Sequence, residues 1–249
     1  MLSKSQINSL KSLQQKKFRR EQGFFLVEGH KSIAEFVDSP YRVEAVYHTP
    51  AFDSKVLKLS QKINSSEISA TDLEKISSLK TPQDIIAKIE IPEWPALTQN
   101  ELTGRFSLVL DGIQDPGNMG TIIRIADWFG IQHIICSEDT VEAYNPKVVQ
   151  ASMGSLARMK VYYIDLAGFL SKIKLPIFGA LLNGENIYAT DFGAEGLIVM
   201  GNEGNGIRPE IEKLVSQAIT IPRIGKAESL NVAIATALFC SEISRKAIK

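Results

Sequence analysis

Apolar residues recur along this chain with two different periods, that of helices and that of strands. In the first part the pattern is mixed. Residues 5–16 carry a weak helical period, and FFLV (24–27) is a short apolar run fit for a strand. HKSIAEFV follows, with Ile33, Phe36 and Val37 on one helical face, and RVEAVYH (42–48) alternates as a strand does. Helices are expected at 53–62 and 71–78, the second opened by a capping-box pattern of Thr71 and Glu74, and DIIAKIE (84–90) reads as a strand. The later part alternates strand and helix more regularly. Strands are expected at 107–111, 133–136, 160–164, 176–181, 197–200 and 218–222, and helices at about 119–129, 145–152, 166–173, 208–216 and 229–247. Runs of Val, Ile and Leu without alternation belong to strands covered on both faces. The expectation is therefore an α/β fold whose second part is a mostly parallel sheet with flanking helices. Such sheets bind ligands at the carboxyl ends of their strands.

Between the two parts lies EIPEWPALTQNELTG (90–104), rich in proline and polar residues, which reads as a linker between domains 1–98 and 99–249. With 44% hydrophobic and 22% charged residues the chain has material for a real core. No apolar run approaches the roughly 18–20 residues of a membrane span. The basic, acid-poor beginning resembles a transit peptide, but it continues without a break into folded-looking sequence and is read as part of the mature protein. The two cysteines, Cys136 and Cys240, each sit in an apolar run, which points to reduced thiols in a cytoplasmic protein. His30, His48 and His133 are scattered without ligand spacing, so no metal is expected. The net charge is +0, yet residues 1–31 hold seven basic against two acidic residues, a local balance of +5. A segment of that kind suits either nucleic-acid phosphate or a solvated helix face.

Three loops carry unusual composition. DGIQDPGNMGTIIRIA (111–126) passes from a strand through a glycine-rich turn into a helix, and Arg124 stands there among apolar residues, where a guanidinium calls for an anionic partner. Neither the dinucleotide fingerprint nor a P-loop is present, and a plain strand-to-helix turn explains the glycines equally well. MGNEGNGIRP (200–209) places Gly201, Gly204 and Gly206 around Glu203, allowing either a close approach to a ligand or a capped turn. IPRIGKAESLNVAIATA (221–237) leads into a long helix, with Ser229 a natural N-cap and Asn231 in the first turn. That helix is apolar nearly all round, as expected of one buried against its own domain and a second subunit.

Taken together, NMGTIIRIA (118–126), VMGNEGNG (199–206) and IPRIGKAESLNVAIATA (221–237) closely resemble the three motifs of the SpoU (TrmH-type) ribose methyltransferases of the SPOUT superfamily. FFLVEGHKSI and TPQDIIA resemble, more loosely, that family's substrate-binding domain, which is similar to small RNA-binding ribosomal proteins. The resemblance implies a C-terminal domain tied in a deep trefoil knot, with S-adenosylmethionine held there by backbone groups at Leu181, Leu182, Asn183, Gly201, Ile221 and Leu230. It implies a homodimer whose site is completed across the interface, and Arg124 as the residue that activates a ribose 2′-hydroxyl. Asn118, Glu203, Ser229 and Asn231 would then orient Arg124 and the ribose. A free guanidinium is a poor base, so binding the adjacent phosphate and stabilising alkoxide charge is physically easier than proton abstraction. The implied activity is methyl transfer to structured RNA, first of all ribosomal RNA, with transfer RNA as the alternative. A non-catalytic RNA-binding assembly factor and a small-molecule enzyme are the competing readings. The sequence does not decode which nucleotide is modified.

Overall fold

The computed structural model describes residues 2–53, 57 and 63–245, so the helix expected at 53–62 falls almost entirely outside the described residues. The chain forms two compact units. The first comprises 1–93 together with 142–158, and the second 94–141 together with 159–249. The expected partition at 98/99 did not anticipate the return of 142–158 to the first unit. Among the described residues no helix is long and apolar enough to cross a membrane.

In the first unit, helices α1 (Lys4–Ser12) and α2 (Lys16–Gln22) precede strand β1 (Phe24–Glu28), helix α3 (His30–Val37) and strand β2 (Val43–His48). Strand β3 (Asn64–Glu67), helix α4 (Ala70–Ile76) and strand β4 (Ile85–Glu90) follow. The sheet order is β1-β4-β2-β3, with β4 antiparallel to β1 and β2, and β3 parallel to β2. β3 was not foreseen because NSSE is polar and exposed throughout, an edge strand with no periodicity to read. α4 is capped by Ser69, whose side chain accepts from the Asp72 amide, rather than by Thr71. α1, α4, β1 and β4 bury Leu10, Leu13, Leu26, Leu73, Ile76 and Ile86 in one cluster.

Helix α7 (Pro146–Ser152) and the 3-10 turn Ser155–Arg158 complete this unit through side chains. The Tyr144 ring lies 4.8 Å from that of Phe25, and Arg158 pairs with Glu35. Arg19, only 2% exposed, donates to the Leu13 and Gln14 carbonyls at 2.9 Å and pairs with Glu142 at 2.5 Å. The basic segment 1–31 is thus not uniformly a phosphate footprint, because Arg19 is consumed as an internal clasp.

The second unit begins with helix α5 (Gln99–Leu102), capped by Thr98 within the stretch read as a linker, and strand β5 (Phe106–Leu110). Helix α6 (Pro116–Trp128), strand β6 (His133–Ser137), strand β7 (Lys160–Ile164) and helix α8 (Leu166–Leu170) come next. Strands β8 (Ile177–Asn186) and β9 (Gly196–Met200), helix α9 (Pro209–Glu212), strand β10 (Gln217–Thr220) and helix α10 (Val232–Ser244) complete it. The sheet order is β10-β8-β9-β5-β6-β7, and every neighbouring pair is parallel. β6 and β9 are buried at every position, the physical counterpart of their unbroken apolar runs. Val109, Ile135, Leu197 and Val199 pack with α8, Ile207 and Ile211. α6 buries Met119, Ile122, Ile123 and Ala126 and packs against α10, which buries Phe239 and Cys240. Both cysteines are free and buried, and burial pushes the Cys240 thiol up to about 12.

Candidate active site

Parallel topology sends three loops to the carboxyl edge of one sheet: those after β5, β9 and β10. Each is built by local capping chemistry. Asp115 caps α6, its Oδ1 accepting the Asn118 amide at 2.7 Å, and Pro116 occupies the first helical position where no donor is missed. The loop after β9 is a tight bridge, with Asn202 and Gly206 exchanging backbone hydrogen bonds at 2.9 Å. Only glycine fits at two of its positions. A Cβ on Gly201 would lie 2.2 Å from the Gly206 carbonyl carbon, and Gly206 itself has φ of +70°. Asn202 ties this loop to the first, donating from Nδ2 to the Gly112 carbonyl at 2.7 Å.

Asn231, not Ser229, is the N-cap of α10. Its Oδ1 accepts from the Ala233 and Ile234 amides at 2.9 and 3.2 Å. With its cap oxygen committed, the Asn231 amide nitrogen points outward and donates to Asn118 Oδ1 at 2.9 Å. Asn118 Nδ2 in turn donates to Glu203 Oε1 at 2.8 Å. The sense of each amide is fixed by the next group, and the chain ends on a carboxylate exposed to solvent. The three loops are thereby joined through one side chain each.

Two expected residues stand apart from that chain. Arg124 is exposed on α6, on the helical face shared by Gly117, Thr121 and Trp128, and makes no ion pair or hydrogen bond among the described residues. Ser229 is also exposed and makes no contact with the asparagine chain among the described residues.

A supporting pair escaped the sequence reading. Asp111, 1% exposed at the end of β5, accepts from the Arg208 amide at 2.8 Å, Nε at 2.7 Å and Nη2 at 2.5 Å. Arg208 also lies 3.6 Å from Asp139, and the Asp111 hydrogen bond pushes its pKa above the ordinary arginine value. This pair pins the end of the second loop to the root of the first. Its only sequence signal is an aspartate at a strand terminus and an arginine just before Pro209.

The residues expected to hold a cofactor lie on β8 and on the segments that follow β9 and β10. The β8–β9 register, Gly179 against Val199, sets Leu181 level with Gly201 when carried two positions further. Leu181 is half-buried, while Leu182 is 75% exposed, Leu230 50% exposed and Asn183 open to solvent. Leu182 contributes its carbonyl to Thr220 Oγ1 at 3.0 Å. Among the described residues the backbone of 221–230 makes no backbone–backbone hydrogen bond, so amides and carbonyls at Ile221 and Leu230 are uncommitted. Ile221 is half-buried and Leu230 exposed, so their backbone groups are open to a polar ligand.

This architecture is shared with known proteins. The SpoU rRNA Methylase family matches residues 105–241, and the MRM3-like substrate binding domain matches residues 4–87. The 23S rRNA (guanosine(2553)-2′-O)-methyltransferase RlmP of Bacillus subtilis is 29% identical over 237 residues, 93% of each chain. The 23S rRNA (guanosine-2′-O-)-methyltransferase RlmB of Blochmanniella floridana is 31% identical over 243 residues, covering 89% of this chain and 94% of that one. A TrmH-family RNA methyltransferase structure from Porphyromonas gingivalis has a TM-score of 0.90 at 38% identity, covering 99% of both chains. An AdoMet-bound rRNA methyltransferase from Sinorhizobium meliloti gives 0.88 at 25% identity, covering 100% of this chain and 97% of that one. From the three joined loops of its parallel sheet to the family match over residues 105–241, this chain belongs to the SpoU rRNA Methylase family.

Proposed function

We propose that the protein transfers a methyl group from S-adenosylmethionine to a ribose 2′-hydroxyl of RNA, with ribosomal RNA as the substrate. The observation that carries this reading is the Asn231–Asn118–Glu203 chain at the carboxyl edge of the sheet, with an unpaired, exposed Arg124 on the helix that bears Asn118. The names of the relatives support ribosomal RNA, and transfer RNA is the alternative that nucleoside identification separates.

When bound, S-adenosylmethionine supplies a methyl group already activated on a sulfonium. The chain must therefore bind, orient and manage charge. Leu181, Leu182, Asn183, Gly201, Ile221 and Leu230 would hold the cofactor through backbone groups, those of Ile221 and Leu230 being uncommitted, and through the exposed side chains of Leu182 and Leu230. Arg124 would take the phosphate beside the reacting ribose and stabilise negative charge on its 2′-oxygen while the hydroxyl proton passes to solvent water. Asn118, Glu203 and Asn231 would hold ribose hydroxyls in line through their fixed donors and acceptors, and Ser229 would add a hydroxyl nearby.

The same reading includes the knot and the dimer. The chain leaving β9 passes β8 to pair on its far edge as β10, then returns to set Asn231 beside Asn118, a path that supports the trefoil arrangement. Leu182, Ile224 and Ile234 are 75%, 102% and 54% exposed, an apolar surface suited to a second copy. Buried, protonated thiols support residence in the cytoplasm.

The test is transfer of a labelled methyl group to total RNA from a strain lacking the gene, with the nucleoside identified by mass spectrometry. A 2′-O-methylated nucleoside is expected with the wild type. Arg124→Ala is expected to lower turnover at least about a hundredfold while cofactor affinity stays within about twofold. Comparable turnover by the variant would refute the role of Arg124. No transfer together with no cofactor binding would refute the enzyme reading and leave an RNA-binding factor.

A further inference from the structure

The first unit holds a cavity of about 350 Å³ that methyl transfer does not use. It opens where β1 passes into α3, with α7 forming the opposite side. Leu26, Leu79, Val149 and Met153 supply apolar walls, and Lys31, Gln83 and Gln150 a polar rim. Its size and its few polar groups are those of a small-ligand site.

The polar groups differ in whether they are free. Glu28 also lines the cavity, but its carboxylate is saturated by Ser77 Oγ at 2.5 Å, the Ser78 amide at 2.8 Å and Ser78 Oγ at 2.7 Å. Lys31 and the side chains of Gln83 and Gln150 are exposed and make no hydrogen bond or ion pair among the described residues. The site therefore offers a free cation and two free amides but no free carboxylate. On the opposite wall, Met153 is 61% exposed with φ of +51°, the one positive value at a non-glycine residue among the described residues. This left-handed residue is the C-cap that ends α7. Here Gly154 packs against Glu35, which Arg158 holds in place.

We propose that this cavity seats one unstacked base of the RNA substrate, with the neighbouring phosphate on Lys31. Apolar walls, two amides able to read a base edge and one uncommitted cation match a nucleotide. An acyl chain or apolar peptide side chain would leave all three polar groups unused. Lys31, at the end of the net-positive segment 1–31, is the cation of that segment that lines the cavity. The inference rests on the RNA reading above and adds where the first unit grips.

The test uses the full chain and ribosomal RNA as the probe, measuring filter binding against salt and ultraviolet cross-links mapped by mass spectrometry. Gln150 stands exposed on α7 without a side-chain partner, so Gln150→Trp fills the mouth while the fold tolerates it. That variant is expected to weaken binding about tenfold, the loss of one stacked base. Lys31→Glu is expected to reduce the salt slope by about one. Lys147→Glu, on the same helix but away from the cavity, should bind nearly as the wild type does. Cross-linked nucleotides should fall on the peptides carrying Lys31 and Met153. If RNA is bound and methylated while Gln150→Trp binds normally and no cross-link maps to the cavity, the base seat is refuted and the methyltransferase reading stands. If the wild type binds no RNA at all, both fall together.

Discussion

Replacing Arg208 by alanine tests whether the Asp111 pair holds the second loop against the first. The variant removes two charge-assisted hydrogen bonds, at 2.7 and 2.5 Å, and leaves a carboxylate that is 1% exposed with only the backbone amide of residue 208, at 2.8 Å. Stripping the partner from a fully buried ion pair costs about 3–5 kcal/mol. The Arg208 side chain is 41% exposed, so water shares its charge and will reach the carboxylate once the side chain is gone. Discounting for that screening leaves about 2–3 kcal/mol. In a protein of this length that corresponds to a fall in Tm of about 4–12 °C. Urea unfolding followed by circular dichroism should show a lower midpoint with an unchanged slope. Arg208→Lys should recover part of the loss, since a point charge replaces a fork. An Arg208→Ala protein within about 0.5 kcal/mol of wild type would refute the argument, because changes of that size are typical of surface positions away from any such pair.

Three further outcomes follow from the same geometry. Asn231→Asp keeps the cap on α10 but presents a carboxylate to Asn118 Oδ1; we expect stability within about 1 kcal/mol of wild type and methyl transfer strongly reduced, and wild-type turnover would sink the role of the amide chain. Gly201→Ala forces a Cβ to 2.2 Å from the Gly206 carbonyl carbon, so denaturation should show a loss of at least about 2 kcal/mol, and a neutral result would mean the bridge relaxes freely. His133 is buried, and its pKa is lowered first by desolvation and then by Lys160 and Arg105, with Glu101 opposing. The folded state therefore binds fewer protons than the unfolded chain below about pH 6.5. The stability linked to His133 is present above that pH and is lost as pH falls towards the depressed folded value. Denaturant midpoints from pH 7 to 5 should decline less steeply in His133→Gln, and identical slopes would overturn the assignment.

The parallel sheet was legible because its strands have no polar face to hide: HIIC, LIVM and KVYYI fall within or match β6, β9 and β7. The exposed edge β3 was illegible for the opposite reason, having no apolar residue to set a period. Two capping residues were read two positions out. Ser229 and Thr71 are good caps by type, but Asn231 and Ser69 hold the extended backbone from which a cap must reach the first free amides, and packing chooses that residue.

The sequence by itself determined the element types, the order of the three loops and the residue kinds that carry their chemistry, since these follow from local periodicity and turn propensity. Tertiary structure alone decided which of those residues meet. Asn118, Glu203 and Asn231 lie 85 and 113 positions apart along the chain in their pairings, and only the strand order β10-β8-β9-β5 sets their loops side by side. The same holds for Arg19, which by composition is one more cation in a basic segment. Its burial against Glu142, 123 residues away, turns it from a candidate phosphate ligand into a clasp, because a desolvated charge must be paired where it lies.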